Sequence, residues 1–376
     1  MSATVRVTEV VDKRSLRTFI MFPWRIYRKD TQYPNWVPPL IVDEKAMFDS
    51  RKNPFFEHAK LQNFLAHKNG TVAGRISAIV NHSHNDYYGD LTGFFGFFEC
   101  TNDLEVAQAL FSAAEDWLRN AGMQEAWGPM NPSSNYILGL LLDSYEKPPL
   151  VKMPYNPPYY VKLYENSELK KAKDLYAYYM TTANAVSDKM ARVGELVRKR
   201  GNVVVRPVDM KHLHRDIEYI RTVYNDAWTD NWGFVPWTQA ELDQIGEEMK
   251  PIADPQLVLL AFIDDDPVAF SLALPDVNQA LIRTNGRLLP FGLLKLLWHS
   301  RKIDMLRVLA MGVRKSYQNS GIDALLYAET HAYAHQSGLH RGEFSWILED
   351  NYALRNSLEK WGVHRYKTYR IYRKEL

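Results

Sequence analysis

Residues 307–324 read RVLAMGVRKSYQNSGIDA, and this stretch decides the fold. Arg307 to Val313 is apolar and β-prone, so it reads as a strand. Ser320 to Ser337 sets Ile322, Leu325, Leu326 and Tyr333 inward at helical spacing. A short polar loop ending near Gly321 joins the two. A helix start offers unpaired N–H groups and a partial positive charge, which makes it an anion site. A small residue such as Gly321 lets backbone amides wrap that anion closely. Arg314 and Lys315 add positive charge nearby. Asp323, in the first helical turn, suits the helix dipole but opposes an anion, so its side chain is expected to point away.

Outward from this stretch the pattern is regular. Asn202 to Asp209 is a β-branched strand, and Lys211 to Trp228 a helix. Thr238 to Glu241 is a capping box that opens a second helix. Leu257 to Leu274, broken at Asp264–Asp266, reads as a hairpin. Glu343 to Leu348 is a strand, Asn351 to Trp361 a helix stopped by Gly362, and Arg365 to Arg373 a last alternating strand. The order is β-α-α-β-β-β-α-β-α-β. The first half repeats most of it: a strand from Val5, a helix from Arg14, strands around the Asn69-Gly70 turn, the strand Gly93 to Glu99, a helix from Leu104 to Asn120 and a short strand to Met130. The expected class is therefore α+β, two mixed and mostly antiparallel sheets in tandem, each flanked by helices. The expected boundaries are 1–182, a basic linker helix over 183–201, and 202–376 with an insertion at 277–305.

This order, with Gln318 and Gly321 in the loop, Glu349-Asp350-Asn351 at the next helix start and Glu359-Lys360-Trp361-Gly362 at its end, resembles the GNAT superfamily of acyl-CoA N-acyltransferases. The resemblance covers residues 200–376 well and the first half by element order. It implies acyl-CoA as co-substrate and no metal. It places coenzyme binding on Met311, Gly312, Val313, Arg314, Gln318, Asn319, Ser320, Gly321, Ile322 and Asn351, with the oxyanion held by a backbone N–H among Met311 to Val313. The first half lacks the loop: Cys100-Thr101-Asn102-Asp103-Leu104 puts an acid at the helix start, so coenzyme binding is expected in the second half alone.

The acceptor amine must lose a proton before it attacks, because a free alkyl amine has a pKa of about 10. Glu343 is the first candidate base, then Glu349, which is equally readable as a helix cap with Asp350. Many GNAT members place an acidic Tyr on the last helix. Leu358 stands there in this chain, which leaves Tyr352, Tyr366 and Tyr369 as substitutes. His331 and His335 are four apart on one helix but lack a third ligand, so no metal site is expected.

Composition narrows the partners. The 376 residues carry a net charge of +2, which gives no field to gather nucleic acid. No run reaches the ~18 apolar residues of a membrane span. Cys100 is the single cysteine, which suits a reducing compartment and a cytoplasmic location. Aromatic residues make up 13%, which reads either as bulky cores or as pockets lined for an apolar ligand. Residues 286–302 (GRLLPFGLLKLLWHSRK) are apolar with basic edges. Two readings stand for them: a core helix, or peripheral contact with an anionic inner membrane surface.

The stretches NGRLLPFGLLKLLW (285–298), FSWILEDN (344–351) and YNPPYY (155–160) resemble a narrower group, tandem-GNAT proteins that include bacterial ceramide synthases. That likeness implies a long-chain acyl group passed to a sphingoid amine, with Trp228, Trp232, Phe234 and Trp346 lining the substrate path. A short-chain acetyltransferase acting on a polar amine, and a catalytically silent lipid- or protein-binding module, are the rival readings.

Overall fold

Ala59–Lys68 and Thr71–Asn81 fold back on each other through Asn69 and Gly70, whose φ angles of 53° and 73° suit the tight turn joining antiparallel strands. This hairpin begins the first of two compact units in the computed structural model, which describes residues 4–27, 33–181, 188–200 and 202–376. The first unit takes in Met1–Leu175, Leu281–Leu296 and Lys367–Leu376; the second takes in Tyr176–Ala280 and Leu297–Tyr366.

In the first unit, β1 (Arg6–Glu9), β2 (Ala59–Lys68), β3 (Thr71–Asn81) and β4 (Thr92–Cys100) form an antiparallel meander. Helix α1 (Lys13–Met21) follows β1 and is capped by Asp12. Helix α2 (Leu104–Asn120) crosses over from β4 to β5 (Glu125–Gly128), which lies parallel to β4. Its Val106, Leu110, Phe111 and Leu118 are buried against β2–β4. Each such side chain contributes about 1.5–3 kcal/mol on burial.

The second unit repeats this plan. Strand β6 (Lys170–Thr181) and helix α3 (Asp188–Arg200) precede the meander of β7 (Val204–Pro207), β8 (Val258–Ile263), β9 (Asp266–Pro275) and β10 (Met305–Val313). Between β7 and β8 lie α4 (Leu213–Ala227) and α5 (Gln239–Met249). The capping box at α5 forms as read: Glu241 N donates to Thr238 Oγ1 at 3.2 Å, and Thr238 N to Glu241 Oε2 at 3.2 Å. Helix α6 (Gly292–Ser300) lies in the insertion. Helix α7 (Ile322–Gln336) crosses from β10 to the parallel β11 (Arg341–Leu348). Helix α8 (Tyr352–Lys360), ended by Gly362 at φ 75°, leads to β12 (His364–Glu375). Trp228, just past α4, packs with Val223 and Tyr224 of the helix against Phe270 and Leu272 on one face of the sheet. Ile322, Leu325 and Leu326 of α7 pack against Ala269 and Met311 on the other.

Each unit contains one strand from the opposite half of the sequence. Tyr372–Glu375 of β12 pair with Glu125–Gly128 of β5 in the first unit, while β6 lies beside β11 in the second. Each unit thus takes in a strand borrowed from the other half of the sequence. The expected linker is a helix over its described part, Asp188–Arg200, and it docks on α7. A Cβ on Gly194 would stand 3.4 Å from Leu325 Cα, and Arg198 pairs with Glu329. Residues 182–187 and 201 of that expected linker lie outside the described residues. No helix among the described residues is long and apolar enough to cross a membrane.

Candidate active site

Strands β10 and β11 pair only from Met305/Arg341 to Val308/Phe344, although β10 runs on to Val313 and β11 to Leu348. The pair therefore opens into a fork. A register shift against β9, where Leu272 faces Ala310 but Ala273 faces Val308, leaves Leu309 as the extra residue of a bulge at the mouth of that fork. A bulge bends its strand and re-aims the groups beyond it. Beyond it, Met311 to Val313 lack a strand partner on the fork side.

At the tip of the fork the chain turns into α7. Lys315–Tyr317 form a short 3-10 turn, Gln318, Asn319 and Ser320 are exposed, and Gly321 takes φ 84° at the N-cap. No side chain caps this helix, so the first-turn amides of Ile322, Asp323 and Ala324 keep their donors. Val193 and Val197 of α3 press on the other side of Gly321, where a Cβ would stand 2.9 Å from Val193 Cγ1. Asp323 is exposed. The two cations of the loop are already engaged: Arg314 Nη1 lies 2.6 Å from Asp266 Oδ2, and Lys315 Nζ lies 2.6 Å from Asp230 Oδ2. Lys315 N also donates to Asp226 Oδ2 at 2.6 Å. These acids hold the turn in place, a role that the sequence reading does not assign to them.

Glu343 lies at the root of the fork and is 0% exposed. Ser345 Oγ donates to its Oε1 at 2.6 Å, and Tyr366 OH donates to its Oε2. Arg307, 2% exposed, donates from Nε to Ser345 Oγ at 2.8 Å and holds Nε 3.9 Å from Glu343 Oε1. Its guanidinium stands 4.8 Å from the centre of the Trp346 ring. These donors and the guanidinium offset the cost of burying a carboxylate. Tyr366 is only partly buried, so the cluster has one outward-reaching member. Arg307 and Ser345 are missed by sequence reasoning, although an arginine inside the strand MLRVLAMGV was a usable signal.

Trp228 covers Gly312 so closely that a Cβ there would fall 2.2 Å from the ring atom Cζ3. It stacks on Tyr224 at 4.8 Å and lies 5.6 Å from Phe270, and Tyr224 is 5.5 Å from Phe234. Trp228 and Phe234 thus join one aromatic cluster against β10, with Trp232 half-buried on the loop between them. On the opposite face, Leu306, Val308, Tyr327, Phe344 and Trp361 line a small apolar pocket of about 60 Å³. Its wall includes Val308 and Phe344, the last paired residues before the strands part.

Other expected residues lie apart from this cluster. Asn351 caps α8 through Leu354 N at 3.2 Å, the structural role that the sequence reading gives to Asp350; Asn351 wins because it directly precedes the first helical residue. The Glu349 carbonyl accepts from Arg355 Nη1. Tyr352 is 65% exposed on the first turn of α8. Tyr369 is fully buried in the first unit, opposite Leu141. Among the described residues no group of three or more His, Cys, Asp or Glu side chains could hold a metal ion.

No protein-family model matches the chain. It is 36% identical over 388 residues to the bacterial ceramide synthase of Caulobacter vibrioides, covering 100% of this chain and 98% of that one. It is 36% identical over 378 residues to Protein YghO of Escherichia coli, covering 98% and 95%. Among solved structures, a tandem GNAT protein from the clavulanic acid biosynthesis pathway superposes with a TM-score of 0.57 at 10% identity, over 99% of this chain and 98% of that one. A GCN5-related N-acetyltransferase from Sphaerobacter thermophilus gives 0.51 at 12% identity, over 99% and 95%. At such identities these two carry the fold alone.

Proposed function

This chain belongs to the bacterial ceramide synthase family, acyltransferases on the tandem GNAT fold, and from that premise we propose that it transfers a long-chain fatty acyl group from coenzyme A to the amine of a sphingoid base. The observation that carries this reading is the fork of β10 and β11, which closes at an apolar pocket and opens at an uncapped helix start. The thioester of acyl-CoA supplies the activated acyl group. The loop amides and the first-turn amides from Gly321 to Ala324 would hold the coenzyme's diphosphate, as anion sites at helix starts do. The unpaired edge of Met311 to Val313 would meet the pantetheine amides and the oxyanion. The small apolar pocket behind Val308 and Phe344 suits the first few methylenes of an alkyl chain, and the Trp228–Phe234 cluster suits the apolar body of the acceptor.

The amine nitrogen adds to the acyl carbon to give a tetrahedral oxyanion, whose collapse breaks the carbon–sulfur bond. The proton leaving nitrogen passes through Tyr366 OH to Glu343, and the departing thiolate is protonated from the same pair. Glu343 itself is buried, so in this reading it acts through Tyr366 rather than on the amine directly. An amine of this class resides in lipid, so the reading includes peripheral contact with the inner membrane surface by a protein acting from the cytoplasm.

A thiol-release assay across acyl-CoAs from acetyl to palmitoyl, with and without a sphingoid amine, tests it. Release that needs both a long chain and the sphingoid amine is the expected result. Turnover of acetyl-CoA with a polar amine alone overturns the lipid reading, and no release with any pair overturns the enzyme.

A further inference from the structure

We propose that residues 287–302 form an interfacial anchor that lays the protein on an anionic bilayer. The inference deepens the lipid-acceptor reading and rests on it for its purpose, although not for its physical basis. Leu289, Phe291, Leu294, Leu297 and Trp298 are each 58–79% exposed. That overturns the core-helix reading of this segment. Leu294, Leu297 and Trp298 recur at helical spacing on α6, so they share one outward face. Leu289 and Phe291 extend the apolar surface along the preceding loop.

Charge selects the occupant. Arg283, Arg287, Lys295, Arg301 and Lys302 are all exposed, and no Asp or Glu occurs between Arg283 and Ile303. An apolar face edged by cations matches the acyl–headgroup boundary of an anionic membrane, where the leucines and the tryptophan enter and the lysines and arginines reach the phosphates. A second copy of the chain is a poorer partner, because two-fold pairing would set the same cations against each other. At nine residues α6 is far too short to span, so it lies in the interface.

The test is co-sedimentation of the full-length protein with vesicles, without acyl-CoA. One set of vesicles is pure phosphatidylcholine and the other carries phosphatidylglycerol. Wild type should bind the anionic vesicles, bind neutral ones about tenfold less, and be released by high salt. The double variants Leu294→Glu/Trp298→Glu and Arg287→Glu/Lys295→Glu should each lose about tenfold in binding while keeping the wild-type circular dichroism spectrum and thiol release with a detergent-dispersed amine. No binding to anionic vesicles, equal binding to neutral ones, or a concentration-dependent dimer abolished by Leu294→Glu/Trp298→Glu overturns the anchor. Vesicle binding is scored without turnover, so a protein that binds vesicles but transfers no acyl group would sink the catalytic reading and leave the anchor standing.

Discussion

The passage from fourth strand to crossover helix is built twice in this molecule and finished in opposite ways. In the first unit Asp103 caps α2, its Oδ1 accepting from Val106 N at 3.3 Å, and Lys68 Nζ ties Asp103 and Glu105 together at 2.6 and 2.9 Å. The space beside β4 is filled by backbone: a Cβ on Gly96 would fall 1.7 Å from Met130 O, and Phe97 N donates to Asn131 Oδ1 at 2.5 Å. Tyr159 OH closes over Cys100 O at 2.7 Å. In the second unit the N-cap is a glycine without a side chain, the loop is exposed, and β10 and β11 part freely beyond Val308 and Phe344. A duplicated fold needs only one open copy for chemistry. The other can spend the same positions on its own stability.

That contrast can be broken at its strongest point first. Glu343→Gln should lower kcat/KM for thiol release about 10²- to 10⁴-fold, the range for losing a general base, and should also lower the melting temperature, because it leaves the buried Arg307 beside an uncharged side chain. Tyr366→Phe should follow it in the pH profile of kcat/KM. Wild-type turnover by Glu343→Gln would remove the second unit's claim to the reaction.

The first unit's partly buried acid, Glu99, should govern stability instead. Burial pushes the Glu99 carboxyl up to about 7 against an ordinary 4.5, although Arg75 nearby and the phenol of Tyr160, which donates to it at 2.7 Å, work the other way. The folded state then holds a proton that the unfolded state has lost. Stability should fall as pH rises from about 4.5 through 7 and level off above, by about 3 kcal/mol. Denaturant unfolding of wild type and Glu99→Gln at pH 5 and 8 checks this, the variant being the flatter of the two.

Gly321→Asp carries the first unit's closed helix start into the second. Calorimetry should show coenzyme A binding about tenfold weaker or worse, since a carboxylate would compete for the same amides. Gly321→Ala, which adds only the strain of φ 84° and the Val193 contact, separates the steric part. The smallest effect belongs to the opposite change. Asp103→Ala should cost about 1 kcal/mol of stability through loss of the cap and leave coenzyme affinity unaltered.

Much of the fold was legible because its signals are local. The Thr238–Glu241 box, the Asn69-Gly70 turn and the Gly362 stop each depend on a few adjacent residues, and each stands where it was read. Strand β6 escapes notice although Leu175 to Met180 is rich in β-prone aromatics, because its charged lead-in, Lys170 to Asp174, reads as surface loop. Which sheet a strand joins is a long-range matter that no window of sequence contains. The site divides the same way. The loop and Glu343 stand out by motif and position, whereas Arg307, Ser345 and Asp226 matter through partners 38 to 89 residues distant.

The exchange of edge strands bears on how the chain reaches its native form during synthesis. The sheet that begins with Arg6 waits for a segment some 360 positions downstream, because residues 372–375 supply the ladder beside Glu125–Gly128. A nascent chain leaving the ribosome can form the early hairpins but must hold an open strand edge beside Glu125–Gly128 until residues 372–375 have been made. Expressing either gene half alone should therefore give an aggregation-prone fragment, and mixing the two fragments should rescue solubility by restoring the traded strands.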